Sequence, residues 1–187
     1  DGLVDPAETV WCPGFLQVGD RRFHCWRRGG HGHVDLRESL RDSCDVYYYE
    51  LARRVGIARI TAMAQRLGLG VRHELPLPAI SRGLTPTKDW KARSQGKPWL
   101  VGDSVNAGIG QGYVLASPLQ LAVMTARLAT GRAIAPRLIR AVDDRPLAAA
   151  EPAPLGLDPA NLERVRAAMR AVVNDRRGTA WAARILG

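Results

Sequence analysis

The pattern of apolar and polar positions changes character once along the chain, near residue 35. Beyond it, Leu36, Leu40, Tyr47, Leu51 and Val55 recur at steps of four and seven, the spacing that gathers them on one helical face. The stretch breaks near Asp42-Ser43, where short polar side chains compete for backbone groups and favour a cap. Gly56 ends the second piece, and a further helix runs from Ile57 to about Leu67, stopping at Gly68-Leu69-Gly70. Residues 69–103, punctuated by Pro76, Pro78, Pro86 and Pro98, read as loop. The clearest helix has Ser117 at its N-cap, Pro118 at its first position and Gly131 just past its end. Its apolar face is Leu119, Ala122, Val123, Ala126 and Leu128. A short strand is predicted at 134–142 and a Pro/Ala-rich loop at 143–157. The last helix runs from Asp158-Pro159 to about Val173. Before residue 35 no period is sustained. Residues 1–33 are rich in Gly, Pro, His, Trp and Cys and read as irregular, with one hairpin across 18–23.

A chain of 187 residues with 46% apolar and 24% charged composition is one ordinary domain with room for a real core. It has no apolar run of membrane-spanning length. Its first residues, Asp1-Gly2-Leu3-Val4-Asp5, lack both an initiator Met and a signal-peptide pattern, which suggests a processed product or a piece of something larger. The net charge of +9 admits an anionic partner. The basic residues are scattered, however, and the local pairs (Arg21-Arg22, Arg27-Arg28, Arg53-Arg54, Arg176-Arg177) do not make the dense run of a nucleic-acid tail. A solvating surface is therefore the plainer reading, and no nucleic-acid partner is expected.

The three cysteines, Cys12, Cys25 and Cys44, all fall early, and His31 lies among them, with twelve, five and twelve residues between successive members. Three thiols and an imidazole suit zinc. A metal would also supply what the irregular segment lacks, by tying it to the helix after Cys44. Two other readings stay open on these residues: a Cys12–Cys25 disulfide with Cys44 a buried thiol, or His24, His33 or His73 as the fourth ligand.

One run, Gly108-Ile109-Gly110-Gln111-Gly112-Tyr113 followed by Ala116-Ser117-Pro118-Leu119-Gln120-Leu121-Ala122, resembles the G-I-G-Q-G … T-P-L-Q-L-A run of class B penicillin-binding proteins. Gly30-His31-Gly32-His33 … Ser43-Cys44-Asp45-Val46-Tyr47-Tyr48-Tyr49 resembles the surroundings of that family's second active-site motif. The stretches 85–91 and 98–103 are similar to its elongation-specific branch, the penicillin-binding protein 2 group. The family's motifs are S-x-x-K with the nucleophilic serine, S-x-N or S-x-D for proton movement, and K-T-G or K-S-G along the substrate. Ser43-Cys44-Asp45 matches the second. Ser94-Gln95-Gly96-Lys97 is rejected as the first, because it follows the second motif and Gly96 and Pro98 oppose the helix it must open. Gly178-Thr179-Ala180 fits an element that precedes the third. The first and third motifs are thus expected to lie outside the chain.

The resemblance implies an α+β fold, that of serine transpeptidases and beta-lactamases, with this portion (a loop over 1–33, a helical subdomain over 34–187) mostly helical and poor in strand. It implies peptidoglycan D,D-transpeptidation through a serine acyl-enzyme on the periplasmic face of the inner membrane, with stem peptides and beta-lactams as reactants and elongation-complex membrane proteins as partners. Ser43 would relay a proton, and Asp45 would fix the lysine or take a substrate hydrogen bond. Without the resemblance, Ser43 reads as a plain helix cap. Cys25, His31 and Cys44 fall where relatives place zinc ligands, and Cys12 lies where a fourth could come from. The chain alone is expected to be inactive. The rival reading is a zinc-stabilised basic module that binds nucleic acid or an acidic polymer, although no aromatics interleave with a basic groove.

Overall fold

The computed structural model describes residues 3–185. The segment read as irregular is two small antiparallel ribbons. β1 (Val10–Cys12) pairs with β4 (Gly32–Val34), with Trp11 opposite His33 and Cys12 opposite Gly32. Nested between them, β2 (Phe15–Val18) and β3 (Arg21–His24) form the expected hairpin. The strands are three or four residues long, too short for an alternating pattern to register, and the outer pair joins residues some twenty positions apart.

Then come α1 (Leu36–Arg41), α2 (Asp45–Val55) and α3 (Ile57–Arg66), with breaks at the predicted places. Asp35 caps α1 by accepting the Glu38 N–H at 2.8 Å. The Pro-punctuated segment is not all loop. It holds α4 (Lys88–Gln95) and α5 (Val101–Gly108). Helix α4 carries no apolar stripe. The Thr87 hydroxyl caps it, accepting from Trp90 N–H at 3.0 Å, and its buried Lys91 pairs with Asp103 of α5. Gly96, left-handed, closes α4. Ser94 therefore sits in a last turn and not at a helix start.

Helix α6 (Pro118–Thr130) has the predicted cap, a reciprocal box between Ser117 and Gln120. Fully buried Gln120 also donates through Nε2 to the carbonyls of Val71 (2.9 Å) and Arg82 (2.7 Å), which pins the loop before α4. The strand expected at 134–142 is reduced to β5 (Ala141–Val142), paired with β6 (Arg145–Pro146). Residues 132–134 instead run beside 153–154, so their hydrogen bonds go elsewhere. Helix α7 (Pro159–Asn174) starts on the Asp158 cap, and a short 3₁₀ turn follows at Trp181–Ala183.

Helix α2 is the axis of the core. Val46, Tyr47 and Tyr49 are buried against Val10, Phe23 and Val34 of the ribbons and against Val105 of α5. Helix α1 packs on α7, and α2 on α5. The join between α1 and α2 is thus held between the ribbons on one side and the end of α7 on the other.

Candidate active site and metal-ligand cluster

The α1–α2 join is a Schellman-type helix end. The Ser43 N–H donates to Leu40 O (3.3 Å) and the Cys44 N–H to Ser39 O (2.8 Å). This geometry puts Ser43 in the left-handed region, at φ +54°, a position glycine usually takes. A serine there costs on the order of 1 kcal/mol of backbone strain. Its side chain does not cap α2: Cys44 is the N-cap residue, and no side chain caps that end. The exposed Ser43 Oγ lies 3.0 Å from Thr179 Oγ1.

Asp42 anchors the join from beneath. Its carboxylate accepts from Arg41 Nε (2.6 Å) and Nη2 (3.0 Å) and from Arg177 Nη2 (2.7 Å). Asp42 and Arg41 are both 5% exposed. Burial works to raise the Asp42 pKa, but the hydrogen bonds and charge of Arg41, then Arg177, outweigh it and leave the carboxyl below its ordinary value. Arg41 is held above its usual value, first by its hydrogen bond to Asp42, with the charges of Asp42, Asp175 and Glu38 adding to it. Thr179 N–H donates to Arg41 O at 3.2 Å and Ala180 N–H to Val172 O at 3.1 Å. Residues 177–179 therefore form a strap from the end of α7 across the join.

From the other side the ribbons reach the same join. The Trp26 indole Nε1 donates to Asp42 O (3.1 Å), and the Trp26 N–H to Asp45 Oδ2 (2.9 Å). The Asp45 carboxylate thus faces the loop. Its pKa is raised, chiefly by burial.

Cys12, Cys25, His31 and Cys44 come together with their ligand atoms all within 4.8 Å of one another. The thiols are buried and free, so the disulfide alternative is not realised. His31 Nδ1 lies 3.7 Å from Cys12 Sγ and 3.5 Å from Cys25 Sγ. Its Nε2 is buried and has no partner among the described residues. Cys25 and Cys44 ionise as one system. The hydrogen bond from Cys44 holds the Cys25 thiol below its ordinary value, and the same contact, with burial, pushes Cys44 up. The other histidines lie elsewhere: His24 packs on Phe15, His33 on Trp11, and His73 on Gly68 O at 3.0 Å.

Cys12, Cys25, His31 and Cys44 could be named as candidate ligands from residue type and spacing alone. The Arg41–Asp42–Arg177 network and the contact of Thr179 could not be. They join residues more than 130 positions apart, and the one available signal was the G-T-A resemblance at 178–180.

A family model, the penicillin binding protein transpeptidase domain, matches residues 1–187. Peptidoglycan D,D-transpeptidase MrdA of Acinetobacter baumannii is 37% identical over 143 residues, 75% of this chain and 21% of that protein. The crystal structure of Pseudomonas aeruginosa PBP2 in complex with WCK 5153 superposes with a TM-score of 0.88 at 38% identity, covering 97% of this chain and 42% of that one. A complex between Helicobacter pylori PBP2 and MreC gives 0.86 at 30% identity, covering 96% of this chain and 33% of that one. The chain spans about a fifth of the length of the curated relatives it matches. The expected transpeptidase fold, mostly helical with little strand over this portion, is the one it shares with these structures.

Proposed function

The chain belongs to the penicillin-binding protein transpeptidase family, and from that premise we propose that it forms the part of a peptidoglycan D,D-transpeptidase that presents the proton-relay serine, Ser43. In this reading a nucleophilic serine outside the chain attacks the D-Ala-D-Ala bond of a stem peptide, and an amine from a neighbouring stem takes the acyl group. Ser43 passes the proton between the activating lysine and the leaving amine. Beta-lactams enter the first half of the same path. The observation that carries the reading is the strained backbone of Ser43, with its hydroxyl turned outward and not spent on a helix cap. Asp45 then acts mainly by fixing the loop through Trp26, since that is where its carboxylate is engaged. The similarity to PBP2 structures supports work in cell elongation on the periplasmic side, with a partner of the kind the Helicobacter pylori relative holds, MreC. No helix among the described residues is long and apolar enough to cross a membrane.

The thiol–imidazole cluster fits structural zinc held by Cys12, Cys25, His31 and Cys44: four donors of the right softness, buried or half-buried and within reach of one ion. Zinc there would supply a closed cross-link and no redox chemistry. The chain's own residues would carry that link to the α1–α2 join through Cys44, the neighbour of Ser43. The basic-module reading gains nothing. Among the described residues, Arg37 and Arg41 pair with Asp175, Arg53 with Glu50, Arg54 with Glu8, and Arg132 with Glu151, so part of the positive charge is spent locally on ion pairs.

The test is acylation by a fluorescent penicillin. The 187-residue chain should remain unlabelled. In a protein extended to the length of its relatives, Ser43→Ala should slow labelling by roughly 100-fold or more, the scale of a lost proton-transfer group. Labelling that survives Ser43→Ala unchanged would remove Ser43 from the mechanism. Metal analysis should find one zinc per chain, and His31→Ala or Cys25→Ser should lose it.

A further inference from the structure

The hydroxyl of Ser43 has one partner among the described residues, and that partner comes from the far end of the chain. Residues 177–179 are delivered to it by three fixings. Arg177 reaches the buried Asp42 carboxylate, Thr179 N–H reaches Arg41 O, and Gly178 lies so close to α7 that a Cβ there would stand 2.2 Å from Val172 O. Only glycine passes at that separation. Both Ser43 and Thr179 are exposed. Water could satisfy either hydroxyl, so folding does not require them to meet. Yet the backbone of one is strained and the other is strapped into place, and the two oxygens lie at hydrogen-bond distance.

We infer that Thr179 is a positioning residue for Ser43, and that the 177–179 strap exists to aim the Ser43 hydroxyl. The inference rests on the proposed relay role of Ser43. A serine hydroxyl has one donor and two acceptor sites and rotates freely. Threonine is stiff at χ1 because it is β-branched. A hydrogen bond donated by Thr179 to one lone pair of Ser43 Oγ stops that rotation. It leaves the second lone pair to receive the incoming proton and the Ser43 proton to leave. Thr179 neither gains nor loses a proton in the passage, so its effect is on rate and not on reactant binding.

The test uses the protein at the length of its relatives, with a fluorescent penicillin as probe and the reaction resolved into prior binding and the acylation step. Thr179→Val keeps the shape and removes the hydroxyl. It should slow the acylation step by about 3- to 10-fold, the range set by one modest hydrogen bond, with prior binding within about twofold and the melting temperature unchanged. Thr179→Ser should restore most of the rate. The inference is overturned if Thr179→Val acylates at the wild-type rate while Ser43→Ala does not. It is also overturned if Thr179→Ser is no better than Thr179→Val, or if the whole loss lies in prior binding or in stability. A Ser43→Ala protein that acylates normally refutes the relay itself, which separates failure of the premise from failure of the strap.

Discussion

The position of α2, and with it the Cys44–Asp45 turn, depends on how closely α5 approaches, and Gly108 sets that distance. A Cβ on Gly108 would lie 2.6 Å from Ala52 Cβ and 3.0 Å from Tyr48 O. Carbon atoms in contact rest at about 3.5–4.0 Å, so Gly108→Ala forces the helices apart by roughly 1 Å. Helix α2 cannot yield easily, because Tyr47 is 0% and Ala52 2% exposed. Overpacking of this kind costs about 1–3 kcal/mol. Alanine's helix propensity returns up to about 1 kcal/mol, less at the last residue of a helix. The net expectation is a loss of about 1–2 kcal/mol. Ala52→Gly alone should cost about 1 kcal/mol through propensity. In the double variant it removes the Cβ–Cβ clash, so the pair should be more stable than the sum of the singles by about 1 kcal/mol. Urea unfolding followed by far-UV circular dichroism, with all four proteins at one temperature, measures this cycle. A Gly108→Ala protein as stable as the parent, or singles that add to within about 0.3 kcal/mol, would refute the close-approach argument.

Asp42→Asn should destabilise the chain by about 2–4 kcal/mol, because buried Arg41 loses its adjacent negative charge and keeps carboxylates only at the longer contacts to Glu38 and Asp175, and the same unfolding assay reads it. Gly178→Ala should lift the strap off α7. In the extended protein it should slow acylation at least as much as Thr179→Val, and an unchanged rate would mean the strap tolerates a Cβ. On the zinc proposal, a chelator should release segment 10–34 to limited proteolysis before the helices, an order that equal protection of both regions would contradict. Ser94→Ala should leave labelling of the extended protein unaltered, since its hydroxyl is spent on Trp90 O at 2.7 Å within α4.

Local chemistry by itself determined much of this protein. Caps and stops at Asp35, Gly56, Ser117-Pro118, Gly131 and Asp158 act over three or four residues, and they delimit five of the seven helices among the described residues. The break at Asp42-Ser43 and the hairpin across 18–23 were legible for the same reason, and the four candidate ligands could be named from residue type and spacing. What the sequence did not contain is whatever depends on partners far along the chain. Helix α4 has no apolar stripe and is held by a buried lysine whose carboxylate sits on α5. The β1–β4 ribbon exists because two three-residue segments meet across a nested hairpin. Tertiary packing decided that the three thiols remain free around His31 and that the Asp45 carboxylate turns to the loop. It also decided that the Ser43 hydroxyl meets Thr179. Hydrogen bonds within one helical turn leave a mark in neighbouring residues; a contact across 136 positions leaves none until the chain has folded.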